Sequence, residues 1–174
     1  MKGRPGVLDV AVALEAPWPK GDWEELAEKA VRAGLERTPH AELADLAAVV
    51  EVSVRLTSDA EVQTLNRQYR QKDQPTNVLS FPMVQPDVLP SLANSDDGEI
   101  LLGDIALAHE TCAREATERG VTLEAHAAHL IVHGTLHLLG HDHMNDAEAE
   151  AMEAIERDAM AALGLHDPYP IEDQ

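Results

Sequence analysis

Cysteine, aromatic residues and positive charge are all scarce in this sequence, and each scarcity excludes a class of protein. Cys112 is the only cysteine among 174 residues, so no disulfide can form within the chain and a cytoplasmic location is expected. Aromatic residues make up 3% of the chain and hydrophobic residues 44%, so the core must consist mainly of Ala, Leu, Val and Ile. No stretch of about 18 apolar residues exists, which argues against a membrane span or a membrane partner.

Basic residues are also few, with 13 Lys and Arg against 32 Asp and Glu and a formal net charge of -19. Phosphate contacts come mainly from Lys and Arg, so this balance argues against a general affinity for nucleic acid. The acidic residues are unevenly spread, because residues 142–174 hold ten of them and one Arg. A local basic site elsewhere in the chain therefore stays open.

The length of 174 residues is near the usual size of one domain and predicts a single domain over residues 1–174, with a frayed tail from residue 167. Asp9 interrupts the first apolar run, so a strand rather than a secretory signal is predicted there. The predicted strands are 8–14, 47–56, 77–82 and 99–107, and the predicted helices are 22–38, 60–69, 105–118, about 122 to Gly140, and 145–163. The polar segment YRQKDQPT, residues 69–76, is expected to be an exposed loop.

Four of the nine histidines fall within HGTLHLLGHDH, residues 133–143. On a helix, His133 and His137 lie on one face a turn apart, near enough to share one ion. Gly140 tolerates a positive φ, which lets the chain turn back so that His143 approaches from the far side. Three imidazoles with one open position are typical of a catalytic zinc ion, one per chain, whereas structural zinc usually has four protein ligands. Such zinc supplies hydroxide for ester or phosphodiester hydrolysis.

Neighbouring residues leave alternatives open. Nine histidines will give some pair at a spacing of four by accident, but three around a glycine turn favour a metal site. His126 and His129 extend the stripe, either as supporting groups or ligands or as packed, hydrogen-bonded imidazoles. His141 is an alternative ligand to His143, and Asp142 could orient an imidazole or act as a base.

Two other patterns point away from known catalytic groups. Zinc peptidases with the HExxH motif use the Glu after the first His as general base. Here that position is Gly134, so the peptidase interpretation is disfavoured unless a base comes from elsewhere. His109 and Cys112 lie one turn apart, but without a third catalytic member the pair is predicted to be structural.

Two motifs carry a specific family resemblance. HGTLHLLGHDH matches the pattern H-G-x-L-H-L-x-G-[YH]-D-H, and LNRQYRQKDQPTNVLSFP, residues 65–82, matches a second signature. Together with LLGDIAL, residues 101–107, and MEAIE, residues 152–156, they cover the chain from about residue 50 to 160. The chain closely resembles the YbeY family of bacterial endoribonucleases and ribosomal RNA maturation factors.

The resemblance implies an α+β domain, in which five or six helices surround a small mixed four-stranded sheet, with the metal site on a central helix and the turn after it. It implies zinc ligands at His133, His137 and His143, and a functionally required Arg70. Members of the family cleave single-stranded RNA, in maturing the 3′ end of small-subunit (16S) rRNA and in late-stage ribosome quality control. RNA and the small ribosomal subunit are therefore the expected partners.

Arg70 in an exposed loop suits a phosphate, because its planar guanidinium can hold two oxygens. Arg67 and Lys72 would add to a positive patch that binds substrate. The acidic balance suggests that activity depends on docking to the ribosome or to a protein that supplies basic surface. The alternative function is a metal-stabilised, non-catalytic assembly factor that binds a ribosomal protein or a GTPase. The missing obvious general base favours the alternative, and the open fourth metal position favours the enzyme.

Overall fold

The computed structural model describes residues 8–38, 49–84, 99–141 and 145–169. These ranges contain four strands and five helices, which confirms the predicted α+β class. In chain order they are β1 (Leu8–Leu14), α1 (Trp23–Glu36), β2 (Val49–Thr57), α2 (Asp59–Arg70), β3 (Val78–Pro82), β4 (Glu99–Ala108), α3 (His109–Arg119), α4 (Leu123–Leu138) and α5 (Asp146–Ala162). Within the described ranges, every helix is too short or too polar to cross a membrane.

The four strands form one mixed sheet in the order β1-β2-β4-β3. β1 is parallel to β2, and β2 is parallel to β4. β3 runs antiparallel to β4, with Val78 opposite Leu107 and Pro82 opposite Gly103. β3 is thus an edge strand, and its outer side is available to contact a neighbouring helix.

β4 is longer than the sequence predicts. A helix was expected from residue 105, but Ile105 pairs with both Val54 on β2 and Ser80 on β3, and α3 begins only at His109. The prediction of the helix start is wrong because the pairing partners are remote in sequence. The alternation of apolar residues does not by itself show where a strand ends when that strand is paired with a neighbouring strand on each side.

Three helices begin where a polar side chain caps their first turn. The side chains of Ser58, Thr122 and Asn145 each accept a hydrogen bond from a backbone N–H three residues on, at 3.1, 3.0 and 2.9 Å. These bonds satisfy amides that have no partner inside the helix. The predicted starts of α2, α4 and α5 are confirmed.

α4 is the central helix of the fold. It contacts α1, α3, α5, β3 and β4, and most of its residues are buried, including Ile131, Leu136 and Leu138. A helix that is buried on nearly all sides lies in the core rather than on the surface. The histidines that α4 carries are therefore held inside the molecule or at the edge of its core.

Gly103 on β4 is predicted to tolerate no side chain. Its φ is +151°, and an added Cβ would lie 2.3 Å from the Phe81 carbonyl oxygen and 2.7 Å from Leu138 Cδ2. Strain and overpacking together should lower the free energy of unfolding of Gly103→Ala by about 2–4 kcal/mol, measured by urea denaturation. Gly34→Ala is the control, because a Cβ there meets Val132 Cγ1 at an ordinary 3.6 Å. Equal stabilities of the two variants would show that β4 can accommodate a side chain at residue 103.

Candidate metal centre and cleft

His133 and His137 meet near the end of α4. Their Nε2 atoms are 3.1 Å apart, and their ring centroids are 4.6 Å apart. Two imidazole nitrogens bound to one tetrahedral zinc ion at about 2.0–2.1 Å would lie roughly 3.3 Å from each other. The two side chains therefore fit a shared metal ion with little movement.

The chain turns back after α4 as the sequence predicts. Gly140 has a φ of +95°, and the N–H of His141 donates to the Leu136 carbonyl at 3.0 Å. His141 lines the cleft beside the two converging histidines. The predicted ligand His143 and its neighbour Asp142 lie outside the described residues. Among the residues described, no group of three or more His, Cys, Asp or Glu is arranged so that it could hold a metal ion, so the third ligand stays a prediction.

Gly134 shows why no peptidase-type glutamate follows the first histidine. A Cβ at this position would lie 3.0–3.2 Å from three side-chain carbons of Ile105 on β4. The helix and the strand approach each other too closely for a larger residue without repacking. A glutamate at this position would therefore require the Ile105 side chain to shift.

A cleft of about 730 Å³ opens between α4, the edge strand β3 and the segment that follows α2. Arg70 and Lys72 line the same cleft as His133 and His137. The complete described wall consists of Asn66, Arg70, Lys72, Gln74, Thr76, Asn77, Val78, Leu79, Ser80, Pro82, His133, Gly134, His137, Gly140 and His141. No acidic residue belongs to that described wall, although the protein as a whole has a formal net charge of -19.

Arg70 lies at the end of a helix and not in a loop as predicted. It is the last residue of α2, because the segment after it turns only at Gln71, whose φ of +58° is left-handed. An Arg70 Nη2–H donates to the Ser80 carbonyl, and its guanidinium lies 5.5 Å from the centre of the Phe81 ring. A guanidinium has five N–H donors, so this anchoring leaves donors for an anion.

The other two predicted substrate-binding residues differ in position. Lys72 lines the cleft, whereas Arg67 is not part of its wall. Arg67 Nη1 lies 3.6 Å from Asp73 Oδ1, and both side chains are mostly exposed. An exposed ion pair of this kind contributes little to stability. The geometry favours Lys72 over Arg67 as a second cation beside Arg70.

One protein family matches this chain over most of its length. A family model described as Endoribonuclease YbeY matches residues 15–164 of the chain. The chain belongs to the YbeY family. A relative from Rhizorhabdus wittichii named Endoribonuclease YbeY is 63% identical over 166 residues, which are 95% of this chain and 98% of the relative. A second relative of that name, from Sphingopyxis alaskensis, is 63% identical over 168 residues, covering 96% of this chain and 100% of the relative.

A solved structure shares the fold of this chain. The solution structure of TM1509 from Thermotoga maritima matches 93% of this chain and 99% of that protein, with 25% sequence identity and a TM-score of 0.52. The predicted YbeY resemblance is confirmed. Endoribonucleases are hydrolases that cut phosphodiester bonds within RNA, so the hydrolase class predicted from the histidine motif agrees with the family.

Two carboxylates of this chain contact the buried histidines of α4, and the sequence assigned this role to neither. Each contact reaches the Nε2 of His126 or His129, whose Nδ1 atoms have no hydrogen-bond partner among the described residues. Glu115 Oε1 lies 2.8 Å from His126 Nε2, and burial lowers the pKa of His126 despite this contact. Glu156 Oε1 lies 2.7 Å from His129 Nε2, and its Oε2 lies 2.8 Å from His133 Nδ1. Burial raises the pKa of Glu156, but the hydrogen bonds from His129 and His133 outweigh burial and lower it to about 2. His126 and His129 are thus hydrogen-bonded imidazoles, one of the open alternatives.

Cys112 behaves as a structural residue. Its side chain is fully buried, and its Sγ contacts the Asn77 carbonyl at 3.7 Å. Burial raises the pKa of the Cys112 thiol, so the thiol stays protonated at neutral pH and the reactive thiolate does not form. The ring of His109 packs against Trp18 with a centroid distance of 5.3 Å. Both observations agree with the predicted structural role of the pair.

Asn66 organises the cation-bearing wall of the cleft. The residue is 3% exposed. Its side-chain Nδ2 donates to the backbone carbonyl of Gln74 at 2.9 Å, and its backbone carbonyl accepts a hydrogen bond from the Lys72 N–H at 3.2 Å. The residue belongs to the second signature motif, but nothing in the sequence assigned it this role. It joins the end of α2 to the segment that carries Lys72.

Asn66→Ala should therefore lower the free energy of unfolding by about 1–3 kcal/mol, because the Gln74 carbonyl loses its buried donor. Chemical denaturation measures this change. The control is Thr64→Ala on the same helix, whose exposed hydroxyl donates to the Ala60 carbonyl and whose loss should change stability by less than about 0.5 kcal/mol. Indistinguishable denaturation midpoints would refute the anchoring role.

Proposed function

We propose that the protein is a zinc-dependent endoribonuclease that cleaves single-stranded RNA, in maturing the 3′ end of 16S rRNA and in late-stage ribosome quality control. One observation carries the proposal: the two converging histidines and Arg70 line a single cleft. The family of the chain supplies the RNA substrate class. Zinc bound by His133, His137 and His143 is the cofactor that the ligand chemistry favours.

The cleft residues suit a phosphodiester. Arg70 can hold two phosphate oxygens with its planar donors, and Lys72 adds a second positive charge at the same wall. When bound, zinc would supply a Lewis acid and a source of hydroxide near neutral pH. Arg70 would then stabilise the negative charge that develops on the phosphate oxygens during cleavage. The anchoring of Arg70 by the Ser80 carbonyl limits the reorganisation that this requires.

The charge distribution suggests how RNA approaches. The described cleft wall carries cations and no acidic side chain, while the formal net charge of -19 repels free RNA at long range. Docking to the small ribosomal subunit, or to a ribosomal protein or assembly GTPase with basic surface, would offset that repulsion. We expect weak, strongly salt-dependent binding to free RNA and better activity on ribosomal particles.

The second candidate is a non-catalytic assembly factor stabilised by its metal. The absence of any carboxylate from the described cleft wall favours this candidate, because a general base is then missing from that part of the site. The open cleft beside the histidines favours the enzyme, since a purely structural metal would be enclosed by protein ligands.

Cleavage by variants of the cleft separates the two roles assigned above. Arg70→Ala should keep its metal but reduce cleavage of a single-stranded RNA by roughly 100–1000-fold, the usual effect of removing one donor to a developing charge. His137→Ala should lose both metal and cleavage. Arg114→Ala, a change of an exposed arginine on α3, should cleave at the normal rate. Zinc content and RNA cleavage are measured on the same samples.

Two results would contradict these roles. Equal cleavage by wild type and all three variants, including His137→Ala, would indicate a contaminating nuclease and favour the assembly factor. Normal cleavage by Arg70→Ala alone would refute the role of Arg70 and leave the metal site standing.

Metal removal distinguishes the two candidates directly. Stripping zinc should lower the melting temperature by about 5–10 °C relative to protein in a hundredfold excess of zinc over its Kd, and should abolish cleavage. Restoring zinc should restore both. A reversible drop in melting temperature in a protein that never cleaves RNA would support the non-catalytic factor.

A further inference from the structure

A row of four histidines runs along α4, and its members have different partners. His126, His129, His133 and His137 follow one another at about one turn, with successive ring centroids 6.1, 6.4 and 4.6 Å apart. Of these four histidines, Glu115 contacts only His126. His133 and His137 are the two that converge, and His133 also contacts a carboxylate on another helix.

That carboxylate is Glu156 on α5. It is fully buried and sits among three hydrogen-bonding groups. Its Oε2 lies 2.8 Å from His133 Nδ1, and its Oε1 lies 2.7 Å from both His129 Nε2 and the Tyr169 hydroxyl. An ionised carboxylate only accepts hydrogen bonds, so all three partners donate to it.

This arrangement determines the tautomer of His133. If Nδ1 carries the proton that is donated to Glu156, the lone pair of the neutral ring is on Nε2. Nε2 is the atom that faces His137, at 3.1 Å. The carboxylate therefore turns the metal-binding nitrogen toward the cleft and prevents the ring from presenting Nδ1 there.

The tail of the described chain completes the arrangement. Arg157 Nε donates to Asp167 Oδ1 at 3.2 Å, and an Arg157 Nη2–H donates to the Tyr169 carbonyl. The Tyr169 ring packs edge-on against His129 with a centroid distance of 5.4 Å. Residues 167–169, the described part of the tail predicted to fray, thus contact α5 and bring one hydroxyl to Glu156. Residues 170–174 of that tail lie outside the described residues.

We propose that Glu156 and Tyr169 form a positioning pair that fixes the tautomer and ring direction of His133 for metal binding. This inference rests on the proposed zinc site. It assigns to the C-terminal segment a role in metal affinity, although no residue of that segment lines the described cleft.

The test measures zinc affinity by competition with a zinc-binding dye for wild type, Glu156→Gln, Tyr169→Phe and Glu115→Gln. A glutamine can accept with one atom only, so one imidazole must turn or change tautomer, and zinc should bind about 10–100-fold more weakly. Tyr169→Phe loses one donor and should weaken binding by roughly fivefold. Glu115→Gln is the matched control, since it alters a histidine–carboxylate contact of equal length that reaches neither predicted ligand, and its affinity should stay within about twofold of wild type.

The absorption spectrum of the cobalt-substituted proteins supplies a readout that general destabilisation would not move. The ligand-field bands should shift in Glu156→Gln and stay unchanged in Glu115→Gln. Unaltered zinc affinity in folded Glu156→Gln, or an equal loss in Glu115→Gln, would overturn the positioning role while leaving the zinc site intact. If Glu156→Gln does not fold, Tyr169→Phe decides, because only a hydroxyl is removed. Wild-type protein without zinc affinity would refute the zinc site and the inference together.

Discussion

The burial of α4 is the constraint on which the rest of the structure depends. This helix has neighbours on all sides, yet it carries four histidines, and a buried imidazole without a hydrogen-bond partner is costly. Two carboxylates from other helices, Glu115 and Glu156, accept hydrogen bonds from these histidines. Only His137, at the carboxyl-terminal end, and one face of His133 reach the cleft. Partner placement thus leaves two imidazoles directed toward the cleft, where we propose that they bind a metal ion.

The edge strand β3 links this buried centre to the side of the cleft that carries Arg70 and Lys72. Its Ser80 carbonyl holds the Arg70 guanidinium, and Asn66 joins the end of α2 to the segment with Lys72. Cations are thereby concentrated beside the histidines on a strongly acidic molecule. Local charge at the site, rather than net charge, governs what the cleft can bind, while net charge governs how readily a free polyanion arrives.

Sequence signals that depend on neighbouring residues predicted most of the helices and the converging histidines. The features that were not predicted depend on tertiary contacts. Periodicity and capping residues such as Ser58 locate most helices, because both depend on residues a few positions apart. The histidine spacing predicted that His133 and His137 converge, and the family resemblance singled out Arg70, which lines the same cleft. The start of α3 was missed because remote strands pair with residues 105–108. Glu156 lies in the motif MEAIE, but the sequence assigned no role to it or to Tyr169, since only tertiary packing brings Glu156 to His133 and Tyr169 to Glu156.

The most direct test of a three-histidine zinc site is the X-ray absorption spectrum of the zinc-loaded protein at the zinc edge. Such a site predicts a first shell of nitrogen and oxygen at about 2.0–2.1 Å, with outer-shell scattering from three imidazoles, falling to two in His133→Ala. A zinc–sulfur distance near 2.3 Å, or a shell without imidazole scattering, would contradict it.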